Sequence, residues 1–157
     1  CGGNRIRVMN SRILGTLILV NPRSDSCIKG PCLIESTSKD SPALIVIGPM
    51  EFALATADLS ELALLTNLNP AGSAYRGQTN ALTLDSYPSL IGGIVYVTGD
   101  VKVSASSNFE GTLLIGGTLT VNAPLTVRHM PVITAPIGFS VGNGFTAGPT
   151  DWSQAVN

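Results

Sequence analysis

From Gly111 to Val127 the sequence reads GTLLIGGTLTVNAPLTV, and its apolar side chains fall in alternating pairs: Leu113 and Ile115, Leu119 and Val121, Leu125 and Val127. Each pair begins six residues after the previous one. Alternation of apolar and polar residues marks a strand with one buried face, and two inward residues in six keep each strand short, with a corner before the next. Three such strands would close a triangle. The stretch GIVYVTGDVKV at 93–103 superposes on GTLLIGGTLTV at 111–121 with an offset of 18, setting Gly93 on Gly111, Val95 on Leu113, Val97 on Ile115, Gly99 on Gly117, Val101 on Leu119 and Val103 on Val121. A third copy, PALIVIGPMEF at 42–52, offers Leu44, Val46, Gly48, Met50 and Phe52 in the same places.

Self-similarity at this period predicts that the chain advances by one strand spacing, about 4.8 Å, for each triangle completed, so that like residues stack on like. The expected fold is therefore all-β: a single-stranded β-helix, or β-solenoid, of about 18 residues per triangular turn. Right-handed winding is favoured because left-handed hexapeptide helices carry a stricter motif. An antiparallel sandwich would explain the alternation but not the registered offset. Glycines 48, 99 and 117 should occupy one corner at positive φ. Extending the offset upstream aligns Ile28 with Val46, and Cys32 and Ile34 with Met50 and Phe52; the strand GTLILV at 15–20 opens an earlier turn.

Residues 53–90 break the pattern. TADLSELALLTNLN at 56–69 has Leu59, Leu62 and Leu65 at helical spacing, Asp58 and Glu61 near its start, and Pro70 and Gly72 beyond its end. This predicts an inserted helix of about three turns lying on the flank of a single domain spanning 1–157. The Gly- and Pro-rich tail at about 130–157 is expected to cover an end whose strand edges would otherwise recruit other chains.

Composition narrows the function classes. Charged residues are 12% of the chain, with 17 glycines and 10 prolines, the profile of a turn-rich β protein. Nine basic against ten acidic residues leave no field to attract nucleic acid. Arg5, Arg7 and Arg12 read as a solvated face. No apolar run reaches the ~18–20 residues of a membrane helix, so membrane attachment would need an upstream segment or a lipid. The chain starts at Cys1, as a processed protein or a piece of a longer one would, and Cys1-Gly2-Gly3 resembles the lipid-carrying start of a mature bacterial lipoprotein.

Chemistry is sparse. Cys27 and Cys32 match no metal or redox motif with one histidine in the chain; they either close a small disulfide loop or remain free thiols. No metal, cofactor or catalytic residue is expected. The 18-residue offset makes Asp100 a neighbour of Thr118, Lys102 of Thr120 and Glu110 of Arg128, so no carboxylate pair forms. His129 reads as a corner residue, and Gly92-Gly93 and Gly116-Gly117 precede strands rather than the helices a phosphate cradle needs. Tyr75, Arg76, Tyr87 and Trp152 are the candidate surface contacts.

The stretch IGGIVYVTGDVKVSASSNFEGTLLIGGTLTVNAPLTV resembles bactofilins, the polymer-forming bacterial cytoskeletal proteins. It is also similar to the solenoid-like ends of pilus-assembly-type surface proteins, whose GxVxVxGDVxV strings precede a tail like the one carrying Gly148, Pro149 and Trp152. The resemblance covers roughly residues 89–152 and implies no catalytic residues. The inserted helix and the cysteines depart from bactofilins. The expectation is a non-enzymatic structural or interaction module of a bacterial surface or envelope protein: a rigid spacer, an adhesion element or a pilus-type assembly element. Its partners would be envelope or pilus proteins or surface glycans. The alternatives are a filament-forming scaffold that self-associates through its ends, which would allow a cytoplasmic location, and a carbohydrate-binding or polysaccharide-acting β-helix.

Overall fold

The computed structural model of the chain describes residues 3–38 and 41–129. The strands run in order β1 (Arg7–Met9), β2 (Arg12–Leu14), β3 (Leu17–Val20), β4 (Cys27–Gly30), β5 (Leu33–Glu35), β6 (Pro42–Ile47) and β7 (Met50–Leu54). Then come β8 (Leu59–Ser60), α1 (Glu61–Leu64), β9 (Ser86–Tyr87), β10 (Leu90–Val97), β11 (Val101–Val103), β12 (Ser107–Ile115), β13 (Leu119–Val121) and β14 (Leu125–Arg128). They assemble into two parallel sheets. The first has five strands in the order β1-β4-β7-β11-β13, and the second has seven, β14-β12-β10-β5-β2, with β6 beside β10 and β3 beside β6. A small antiparallel pair, β8-β9, completes the set.

The expected single-stranded helix of three equal walls is corrected by this arrangement, which has two large parallel sheets instead. The reason lies at Gly93 and Gly111, between successive apolar pairs, where a triangular turn would need its third corner. Both residues take positive φ, 123° and 134°, yet stay paired inside the ladder, so the chain bends without leaving the sheet. Two intended walls fuse into one long strand, the eight residues of β10 and the nine of β12. A side chain at Gly111 is impossible, because its Cβ would stand 2.2 Å from the Gly93 carbonyl oxygen. At Gly99 and Gly117 the requirement is not positive φ but close approach: an added Cβ would lie 2.6 Å from the carbonyl carbons of Gly48 and Gly99.

The chain alternates between the sheets in five tiers, each contributing a strand to one and a strand or two collinear strands to the other. Residues 18 apart are hydrogen-bonded neighbours in the last three tiers: Val101 pairs with Leu119, Ile91 with Phe109, and Ser107 with Leu125. Upstream the expected alignment is wrong. Ile28 pairs with Phe52, 24 residues on, because the corner between β5 and β6 adds residues to that turn, and Ile34 pairs with Ile91 because the insertion between β7 and β10 separates them in sequence.

Inward side chains of both sheets form one core, with Ile28, Ile34, Leu44, Val46, Phe52, Ile91, Val97 and Val103 fully buried. Phe52 and Phe109 meet edge to face at 5.2 Å, a geometry that aromatic quadrupoles favour. Buried serines serve the corners. Ser26 Oγ accepts the Ile6 N–H (3.0 Å), Ser89 Oγ the Cys32 N–H (3.3 Å), and Ser107 Oγ the Leu54 N–H (3.3 Å). Each satisfies a backbone donor of another tier that would otherwise be buried unpaired.

The inserted helix is also corrected. Only one turn forms, Glu61–Leu64, capped by Ser60, whose Oγ accepts the Ala63 N–H, and ended by Leu65 in the left-handed region at φ 52°. Leu59 is drawn into β8 opposite Tyr87, and the Glu61 carboxylate turns inward to bind the chain returning at Leu68 and Asp85. The segment between β7 and β10 nevertheless covers apolar surface: Leu59 and Tyr87 bury Leu33 and Leu90, with Leu64, Leu68 and Tyr75 packed against them.

Candidate functional site

The insertion is fastened by two charged side chains. Glu61 is fully buried; its Oε1 accepts the Leu68 N–H (2.6 Å) and the Tyr87 hydroxyl (2.8 Å), and its Oε2 accepts the Asp85 N–H (3.1 Å). Burial alone would raise its pKa, but these bonds, with the Asn69 backbone nearby, outweigh it and hold the carboxyl below the ordinary range. The same burial and the carboxylate push the Tyr87 phenol strongly up, so it remains a donor.

The second fastening comes from the first tier. Arg12 Nη1 donates to the carbonyls of Leu68 (2.5 Å) and Ser73 (2.9 Å), and Nη2 to that of Ala74 (2.6 Å). Its guanidinium also lies 5.2 Å from the Tyr75 ring centre and 5.7 Å from that of Tyr87. Planarity lets arginine serve carbonyls with its edge and rings with its face. Burial, then the charge of Glu35, raises the Tyr75 phenol. Behind these, Asp85 Oδ2 accepts the side-chain amides of Asn69 (3.0 Å) and Asn80 (2.7 Å), and Asn67 Nδ2 donates to the Asn80 carbonyl (2.7 Å). The insertion is thus a fixed platform.

Where the platform ends above the seven-stranded sheet it leaves a step. A cleft of about 210 Å³ lies there, with Thr56, Asp58 and Pro88 from the insertion as its wall, and Asn108, Glu110, Thr126 and Arg128 from β12 and β14 lining it. Register sets Glu110 beside Arg128 as expected from the offset, but no salt bridge joins them. Asp58 joins Glu110 in this lining, an approach that stacking within the sheets could not foretell. A shallower cleft of about 190 Å³ on the five-stranded sheet includes Glu51, Asp100, Lys102 and Thr120, with Lys102 Nζ 3.9 Å from Glu51.

The residues singled out in the sequence fare differently. Cys27 and Cys32 are both buried and unbonded, which corrects the disulfide alternative: Cys27 sits in β4, while Cys32 lies beyond the corner with its thiol donating to the Lys29 carbonyl (3.5 Å). Burial pushes the Cys32 thiol up. Tyr87 is corrected as a surface contact, being 1% exposed and bonded to Glu61. Tyr75 is half-buried between Arg12 and Arg76, and Arg76 is exposed. The expected arginine face is broken up: Arg12 clasps the insertion, while Arg5 pairs with Asp25 at 3.3 Å. His129 is exposed past β14. Cys1, Trp152 and the tail from 130 lie outside the described residues.

Sequence reasoning missed Glu61, hidden because Asp58 and Glu61 fit a helix start. It also missed the corner serines, although Ser89 and Ser107 stand 18 apart. Among the described residues no group of three or more His, Cys, Asp or Glu is placed to hold a metal, and no helix is long and apolar enough to cross a membrane. No protein-family model, curated protein or solved structure matches the chain.

Proposed function

We propose that the chain is a non-enzymatic interaction module of a bacterial surface or envelope assembly, and that its contact face is the polar step beside the insertion. The observation that carries this reading is the division of labour among polar side chains. Glu61, Tyr87 and Arg12, the groups with the most perturbed or enclosed surroundings, are bound up in fastening the insertion. The groups left to meet a partner, Asp58, Asn108, Glu110, Thr126 and Arg128, line a shallow recess on a rigid sheet. A hydroxyl-rich glycan or a polar protein segment suits them, since amide, hydroxyl, carboxylate and guanidinium groups supply both donors and acceptors.

The test is binding to purified envelope polysaccharides and envelope proteins, run beside a reducing-sugar assay on the same polysaccharides. Binding without release of sugar, weakened at least tenfold by Arg128→Ala or Asp58→Ala, is the expected outcome. Because Asp58 and Glu110 line the same cleft, the opposing outcome is specific. Sugar release that disappears in Glu110→Gln would overturn the non-enzymatic reading.

A further inference from the structure

The two ends of the stack differ. In the first tier the inward side chains Val8, Ile13 and Leu17 are half-buried against the core, and Leu19 is buried. In the last tier Leu119, Val121 and Val127 are 42%, 48% and 46% exposed, although register sets them beside Val101, Val103 and Phe109, which are buried. These three continue the inward columns of the core, and no further tier among the described residues lies over them.

The backbone is open in the same place. β13 and β14 end the strand orders of the two sheets. β14 pairs with Ser107–Glu110 only, which leaves residues 112–115 of β12 without a neighbour on that side among the described residues. Natural sheets commonly guard such edges with charge, yet no charged residue lies between Glu110 and Arg128. An uncharged apolar edge recruits other strands unless something covers it.

Residues 130–157 start where this gap starts. Arg128 pairs with Glu110, so the chain leaves its ladder directly beside the uncovered half of β12. Ten extended residues span roughly 33 Å, against about 10–14 Å for strands as short as β13 and β14, so reach is no obstacle. The sequence also suits the surface. Val132, Ile133, Ile137, Phe139, Phe145 and Trp152 supply apolar area, and Asp151 is the one charged residue. Pro131, Pro136 and Pro149 have no N–H to give a ladder. A segment of this composition can cover apolar side chains without offering a fresh edge in turn.

We infer that residues 130–157 fold back over the last tier and cap the core, packing their apolar side chains on Leu119, Val121 and Val127. The cap ends the stack. No other chain adds a strand to β13 or β14, and contacts with partners are left to the outer faces of the sheets.

Methyl NMR of the full chain under reducing conditions tests this. Nuclear Overhauser contacts should join the Val121 and Val127 methyls to ring protons of Phe139, Phe145 or Trp152. In a sample mixing labelled and unlabelled copies, no such contact should pass between molecules. Chymotrypsin, which cuts after aromatic residues, should cleave residues 130–157 on the order of tenfold faster in Leu119→Asp with Val121→Asp than in the wild type. The outward control Ile18→Asp with Val20→Asp, also at exposed positions, should leave that rate unchanged. A wild-type chain whose last tier makes no contact with these rings overturns the proposal, whether or not the variant folds. Contacts that pass only between copies overturn it as well, since the occupant is then a second chain, and so does a cleavage rate that the end substitutions leave unchanged.

Discussion

Ser107 shows how much a single small side chain can settle. Its hydroxyl is fully buried, accepts the Leu54 N–H and donates to the Ala105 carbonyl. Ser107→Ala removes the acceptor and leaves a buried donor unpaired, which should lower stability by about 1–3 kcal/mol in chemical denaturation. Glu61 is the stronger case. Its folded pKa lies below the ordinary glutamate value of about 4.3, so the carboxylate's contribution is full above that value and is lost as pH falls through the lowered one. Acid should therefore loosen the insertion before the sheets, seen as faster amide exchange at Leu68 and Asp85 below about pH 4. Glu61→Gln should be destabilised by roughly 1–3 kcal/mol at neutral pH and lose much of that acid dependence. The corner role of serine was readable only with hindsight, since Ser89 and Ser107 carry no signal beyond their spacing. Glu61 was visible as a residue but not as an anchor, because its partners Leu68, Asp85 and Tyr87 are brought to it by the returning chain.

At the scale of elements, pattern and context part company. The last three tiers were legible because apolar alternation and an 18-residue offset are short-range facts, and Val101, Val103, Ile91 and Phe109 sit where that offset places them. The walls were misread because glycine signals both corners and bends, and only the ladder bonds at Gly93 and Gly111 distinguish the two. The helix failed for a related reason: leucines at 59, 62 and 65 have helical spacing, but Leu59 pairs with Tyr87 and Leu65 leaves the helix. The insertion that results depends on Arg12 more than on its own short elements. Arg12→Met should keep the sheets intact while freeing residues 68–76, detected as new protease sensitivity in that loop with a loss of about 2–4 kcal/mol.

Across the whole molecule, depth follows tier. Val103 and Val121 are paired neighbours in the five-stranded sheet, yet Val103 is buried and Val121 is exposed in β13. Val103→Ala should cost about 2 kcal/mol and Val121→Ala less than ~1 kcal/mol, a contrast that parallel denaturation curves would measure. The Arg12 clasp adds an ordering in time. It joins the first tier to carbonyls 56 and 62 residues further along, so it cannot close until the third tier has brought the insertion back over β5. Contacts this distant in sequence form late, and on a ribosome the N-terminal portion emerges first. Arg12 must then wait, uncommitted, while some sixty residues are synthesised. The loop it finally grips therefore takes its shape only after the chain has come back over the first two tiers.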